Sequence, residues 1–216
     1  MFTGIIEEKG QVKAVTSREN LSVLKITTRK VFPGTKVGDS IAVNGVCLTV
    51  SRIEKPDCLV FELMQETLNK AALNELRPGS PVNLERALKI NSRFGGHLVS
   101  GHIDGTGLIQ KIIKKGQYVQ FQISLDKHLR RFLVPQGSVC VDGVSLTVGK
   151  VGGNRFWVHL IPHTLKMTTL GDKIPFDRVN IETDLIAKYL LNKKSLTVMG
   201  RGIRIASPEK FPKDFP

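Results

Sequence analysis

SIAVNGVCLTV, residues 40–50, returns as SVCVDGVSLTV, residues 138–148, with seven of eleven positions identical. Each copy is a run of β-branched and aliphatic residues interrupted once, by Asn44-Gly45 in the first and Asp142-Gly143 in the second. Those dipeptides reverse a strand because both residues tolerate positive φ, so each copy predicts a β-hairpin. The match extends outward. Residues 61–85 realign on 158–182, pairing Leu63 with Leu160, Thr67 with Thr164, Leu68 with Leu165, Pro78 with Pro175 and Asn83 with Asn180. The openings correspond too, with Gly4, Ile6 and Gly10 falling on Gly101, Ile103 and Gly107. Three co-linear matches at a spacing of 97 or 98 residues identify a duplicated domain followed by a tail.

Each copy reads as β. SVLKITT (22–28) and YVQFQISL (118–125) alternate apolar and polar side chains, and Gly-rich breaks fall at the short intervals of an all-β chain. Closing such strands into small barrels removes the exposed edges of an open sheet. Short helices are predicted near ETLNKAALNEL (66–76) and HLRRFL (128–133). After the second copy, Thr183 and Asp184 are N-cap types, and Leu185, Ile186, Tyr189 and Leu190 form an apolar stripe. Such a helix either covers its own barrel or meets copies of itself, and self-association is the favoured reading. The expected division is 1–97 and 98–182 for the two barrels, 183–192 for the helix and 193–216 for a basic, flexible tail.

Composition bounds what the chain does. No run of about 18 apolar residues exists, which argues against a membrane-spanning helix. The opening MFTGIIEEKG lacks the pattern of a secretory signal, so a cytoplasmic location is expected. Cys47, Cys58 and Cys140 are too few and too scattered for a disulfide framework. The formal charge of +13 divides as net +4, +5 and +4 over residues 1–97, 98–192 and 193–216. Neither barrel region carries a basic stripe interleaved with aromatics, so a generally basic surface is a better account than nucleic-acid binding. An anionic partner for the tail stays open.

Polar groups recur at matched points of the two copies. Thr49 and Thr147 close the CLT and SLT triplets, and Cys47 stands where Ser145 stands. That exchange makes otherwise similar pockets chemically unlike, as an enzyme treating two identical molecules differently requires. Two equivalent pockets brought face to face would convert a bimolecular step into an effectively unimolecular one. In GGHLVSGHIDGTG (95–107), His97, His102 and Asp104 fit no common zinc spacing, and the glycines lack the strand-turn-helix setting of a dinucleotide site. His102 occupies the repeat position of Ile5, which places a titratable imidazole in one pocket only.

MFTGII, NGVCLTV, FELMQETL, GGHLVSGHIDGTG, DGVSLTV and HLIPHTL together closely resemble riboflavin synthase, the family built from two lumazine-binding repeats. The resemblance spans residue 1 to about residue 190 and excludes the basic tail. It implies two closed six-stranded Greek-key barrels, a C-terminal helix holding a homotrimer, and dismutation of two 6,7-dimethyl-8-ribityllumazine molecules without a cofactor or metal. It implies an active site between the first barrel of one subunit and the second barrel of its neighbour. Ligand contacts carry over to Gly4, Ile5, Ile6, Cys47, Leu48, Thr49, Glu62, Leu63, Met64, Gln65, Glu66 and Thr67. In the second repeat they fall on Gly101, His102, Ile103, Ser145, Leu146, Thr147, Ile161, Pro162, His163, Thr164, Leu165 and Lys166. The expected catalytic groups are His102 with Ser145 and Thr147 in the second barrel, and Ser40 with Cys47 in the first. Asp184 is a further candidate that reads equally well as a helix cap. Gln136 stands where some members carry a ligand-contacting lysine, so it is expected to bind through a neutral hydrogen bond. A non-catalytic relative that holds a lumazine chromophore is the alternative; association with a lumazine synthase is left open.

Overall fold

A computed structural model describes residues 1–18 and 21–192. The first repeat supplies β1 (Glu8–Arg18), β2 (Leu21–Thr27), β3 (Ser40–Val43), β4 (Val46–Glu54), β5 (Cys58–Met64), α1 (Gln65–Lys70) and β6 (Pro81–Arg86). The second supplies β7 (Gly105–Lys115), β8 (Tyr118–Ser124), α2 (Lys127–Arg130), β9 (Ser138–Val141), β10 (Val144–Gly152), β11 (Arg155–Leu160), α3 (Pro162–Met167) and β12 (Arg178–Thr183). A final helix, α4, spans Leu185–Asn192. The strands close into two antiparallel barrels of identical order, β1-β2-β5-β4-β3-β6 and β7-β8-β11-β10-β9-β12.

The hairpins form where the sequence places them. Asn44 and Gly45 take φ of 45° and 81°, and Asp142 and Gly143 take 45° and 82°, the paired left-handed residues of a tight primed turn. Alternation along β4 and β10 then sends one set of side chains inward. Leu48, Val50, Leu146 and Val148 join Phe61, Leu59, Phe121 and Phe156 in the barrel interiors, while Thr49 and Thr147 face out. Each fully buried Leu or Phe is worth roughly 1.5–3 kcal/mol, and these clusters leave the barrels filled rather than hollow. Any ligand site therefore lies on the outer faces.

The predicted helix over 66–76 breaks in two. Ala71 adopts an extended conformation (φ −114°, ψ 156°), separating α1 from a 3-10 turn at Ala72–Glu75. The break is imposed by tertiary contact: the Ala72 N–H, freed from helical pairing, donates to Asn180 Oδ1 of the other barrel at 2.7 Å. The second repeat has the same arrangement in α3, which opens on Pro162 at the first helical position, where proline is favoured, and in Thr169–Asp172. The helix near 128–133 is shorter than expected and confined to α2.

The barrels are joined about a pseudo-dyad. The turn glycines 45 and 143 are in contact there, and Phe2 and Val99, equivalent by the repeat, exchange backbone hydrogen bonds of 2.8 and 3.1 Å. Four buried polar residues stitch across the axis. Asn83 Nδ2 donates to the Asp142 carbonyl and Asn180 Nδ2 to the Asn44 carbonyl, both at 2.8 Å. Asn83 Oδ1 accepts from Thr169 N at 2.8 Å, mirroring the Ala72–Asn180 bond. Buried amides cost little when every group is partnered.

Candidate functional site

Each repeat opens with a short segment that leaves its own barrel and docks on the other. The Gly4 carbonyl accepts from Ser145 N of β10 at 2.8 Å, and the Gly101 carbonyl accepts from Cys47 N of β4 at 2.9 Å. Ile6 packs on the core of the second barrel and Ile103 on that of the first. The exchange demands glycine. Gly4 and Gly101 have φ of +76° and +84°, and a Cβ on Gly101 would lie 2.5 Å from the Cys47 Cβ. Two matched positions result, Cys47 against the segment at Gly101 and Ser145 against the segment at Gly4, each built by both repeats.

The first lies in a cavity of about 240 Å³, open on one side and lined by Val46, Cys47, Glu66, Thr67, Lys70, Ala71, Gly101, His102 and Ile103. Cys47 is half-buried, whereas Cys58 and Cys140 are fully buried, and burial pushes both of those thiols up in pKa. Glu66 and Lys70 form an exposed i,i+4 pair at 2.7 Å on the rim. Ser40 lies on β3, opposite Thr49.

The position in the second barrel that matches Cys47 is Ser145. Its Oγ is 2.7 Å from His97 Nδ1, and the buried His97 Nε2 has no protein hydrogen-bond partner. Burial holds the His97 imidazole below its ordinary pKa, against the opposing pull of the Asp184 carboxylate. A neutral imidazole against a hydroxyl is an arrangement able to take up and return a proton. Asp184 also caps α4, its Oδ1 accepting from Ile186 N at 2.9 Å. Thr164, the equivalent of Thr67, is half-buried on α3, while Ile161, Pro162, His163 and Lys166 are exposed.

This geometry corrects one grouping. His102 does not meet Ser145 and Thr147 within the chain; the bond from Cys47 N to the Gly101 carbonyl carries it to the first barrel. The imidazole beside Ser145 is His97, which has no repeat counterpart at a spacing of 97 and so escaped the comparison of copies. Its signal was the Gly95-Gly96 pair before it: a Cβ on Gly96 would fall 2.0 Å from the Thr3 carbonyl oxygen, so only glycine lets the connector pass so closely. Leu48, Leu63 and Leu146 point into the barrels and offer a ligand only backbone. Gln136 is exposed, with φ of 67° at the position equivalent to Gly38, and its N–H donates to the Val148 carbonyl at 2.7 Å. Asp104 is engaged with Thr183 and Lys188, so the His97, His102 and Asp104 of the connector go three separate ways. Among the described residues, no group of three His, Cys, Asp or Glu side chains is placed to hold a metal. Nor is any described helix long and apolar enough to cross a membrane.

The sequence matches the lumazine binding domain family twice, over residues 3–87 and 100–184. It is 45% identical over 190 residues to the riboflavin synthase of Actinobacillus pleuropneumoniae, covering 88% of each chain. To the riboflavin synthase of Mycobacterium bovis it is 45% identical over 193 residues, 88% of this chain and 96% of that one. Among solved structures, it resembles LumP complexed with 6,7-dimethyl-8-(1'-D-ribityl) lumazine at a TM-score of 0.77 and 26% identity, over 85% of this chain and 99% of that one. The riboflavin complex of LumP matches at a TM-score of 0.79, with the same identity and coverage.

Proposed function

Because the chain belongs to the riboflavin synthase family, a family of transferases, we propose that it dismutates two molecules of 6,7-dimethyl-8-ribityllumazine. One donates a four-carbon unit to the other, giving riboflavin and 5-amino-6-ribitylamino-pyrimidinedione. The atoms of two substrates equal those of the two products, so neither an oxidant nor a reductant is consumed. The observation that carries this reading is a pair of matched positions alike in backbone and unlike in side chain: Cys47 with His102 at one, Ser145 with His97 at the other. Two copies of one ligand would be held in the same way and treated differently.

The 7-methyl group of such a lumazine is acidic, because its carbanion delocalises into the ring, so a modest base suffices. In the second pocket that work falls to Ser145 with His97, with Asp184 favouring the imidazolium as it forms and Thr147 donating from the outer face. In the first, Cys47, His102 and Ser40 hold the acceptor and assist addition at ring position 7. The first pocket is open on one side, as it would be if a neighbouring subunit closed it. The α4 stripe supports such an assembly: Ile186, Tyr189 and Leu190 are more than half exposed in the single chain. In a homotrimer, the first barrel of one subunit would face the second barrel of the next, bringing His102 of one chain to Ser145 of the other.

The test is to mix the protein with dimethylribityllumazine, without added cofactor or metal, and follow riboflavin by absorbance. The expected result is one riboflavin per two lumazines consumed. Binding without turnover would instead make the protein a chromophore carrier, and absence of binding would remove both readings.

A further inference from the structure

Two buried carboxylates hold the crossing segments. Glu85, on β6 of the first barrel, accepts from Thr3 N and Thr3 Oγ1 at 2.7 Å and from Gly4 N at 2.9 Å. Glu182, on β12 of the second, accepts from Ser100 N and Ser100 Oγ at 2.7 Å and from Gly101 N at 2.9 Å. The hydroxyls extend the clamp by one residue, Thr3 Oγ1 accepting from Ile5 N at 3.3 Å and Ser100 Oγ from His102 N at 3.1 Å. The two arrangements match bond for bond.

The chain of contacts then crosses between barrels. Glu182 fixes Ser100 and Gly101; the Gly101 carbonyl fixes Cys47 N, and the Ser100 hydroxyl fixes His102. Glu85 likewise fixes Gly4, whose carbonyl holds Ser145 N. A buried carboxylate with three donors is costly to accommodate: burial raises the pKa of Glu85, and the bonds from Thr3 and Gly4 only partly offset this. A hydrophobic plug would close the same space without that cost, but could not orient a backbone.

We propose that Glu85 and Glu182 are positioning residues, each shaping the pocket borne by the barrel to which it does not belong. Glu182 sets Cys47 and His102; Glu85 sets Ser145 and its partner His97. The inference rests on the reading of the two pockets as the substrate sites.

The test uses the full chain and two probes that do not involve turnover. The rate of Cys47 alkylation by iodoacetamide, read by mass spectrometry apart from the buried Cys58 and Cys140, reports the first pocket. The titration of His97, followed by NMR, reports the second. Glu182→Gln turns one acceptor into a donor and is expected to change the Cys47 rate about tenfold, the equivalent of one to two net hydrogen bonds, while leaving His97 unmoved. Glu85→Gln is expected to shift the His97 titration and leave the Cys47 rate alone. Ser100→Ala, which keeps the carboxylate and removes one arm, should move Cys47 in the same direction by about threefold; it decides the matter if Glu182→Gln does not fold. Variants that move both probes together, or neither, would overturn the proposal. A wild-type chain that makes no riboflavin would sink the substrate reading, while the two probes would still report whether each carboxylate shapes the opposite pocket.

Discussion

Replacing Gly101 by Ala tests the crossing segments directly, because two separable costs meet at that residue. The backbone sits at φ +84°, where an L side chain costs ~1–2 kcal/mol. The new Cβ would also stand 2.5 Å from the Cys47 Cβ and 3.0 Å from its backbone nitrogen. Neither neighbour is the far end of a flexible side chain, so relief requires β4 or the segment to shift, which overpacking data put at about 1–3 kcal/mol. The sum is roughly 2–5 kcal/mol, a large part of the ~5–15 kcal/mol that holds a domain folded. Gly79→Ala is the control: its φ is +92°, yet nothing lies within 4 Å of the built Cβ, so only the backbone cost applies. Guanidinium unfolding of both variants at one protein concentration should place Gly101→Ala below Gly79→Ala by about 1–3 kcal/mol. Gly4→Ala, with its Cβ 2.7 Å from that of Ser145, should behave like Gly101→Ala. Equal losses in Gly101→Ala and Gly79→Ala would refute the close crossing.

Ser145→Ala and His97→Gln should each lower turnover of dimethylribityllumazine by about 10²–10⁴-fold. Because burial depresses the His97 pKa, the acid limb of the wild-type kcat/KM profile should lie below the ordinary imidazole range and disappear in His97→Gln. Asp142 is pushed up in pKa by burial, against the pull of Lys173, so its contribution to stability is full below the unfolded carboxylate pKa and declines as pH rises through the folded one. Asp142→Asn, the residue that the first repeat carries as Asn44, should therefore gain in melting temperature relative to wild type as pH is raised from acid to neutral; a constant difference would contradict this. Phe176 holds φ of 75° where the first repeat has Gly79, and it is largely exposed, so Phe176→Gly should stabilise by about 0.5–1 kcal/mol in a denaturant titration. Leu190→Asp on the exposed stripe of α4 should shift the sedimenting species toward monomer, and an unchanged mass would remove α4 from the assembly.

Local chemistry was legible in the sequence wherever it decided local structure. Asn44-Gly45 and Asp142-Gly143 announced their hairpins, and β2 alternates as expected, whereas β8 buries the polar Gln122 between Phe121 and Ile123 and so departs from the period-two pattern. The inward faces of Leu48, Leu63 and Leu146 were also readable, since each alternates with an outward neighbour, but motif resemblance grouped them with the ligand contacts all the same. What pattern could not reveal was which barrel each opening segment joins. Repeat equivalence says that His102 corresponds to Ile5, and the natural inference assigns each to its own copy. The carbonyls of Gly4 and Gly101 reverse that assignment through single hydrogen bonds spanning 141 and 54 residues of chain. His97 was missed for a related reason: its partner Ser145 is 48 residues away, and only the fold brings the two together.

The crossing segments give the two pockets a shared vulnerability. Residues 95–103 form a connector that belongs to no barrel strand, yet it supplies His97 to one pocket and Gly101, His102 and Ile103 to the other. If that connector peeled away, both barrels would keep their closed ladders, while the cavity at Cys47 would lose one wall and Ser145 its imidazole partner. Local opening of this kind is governed by far fewer contacts than unfolding of either barrel. The protein can therefore be fully folded by any measure of its strands and still have both candidate sites incomplete.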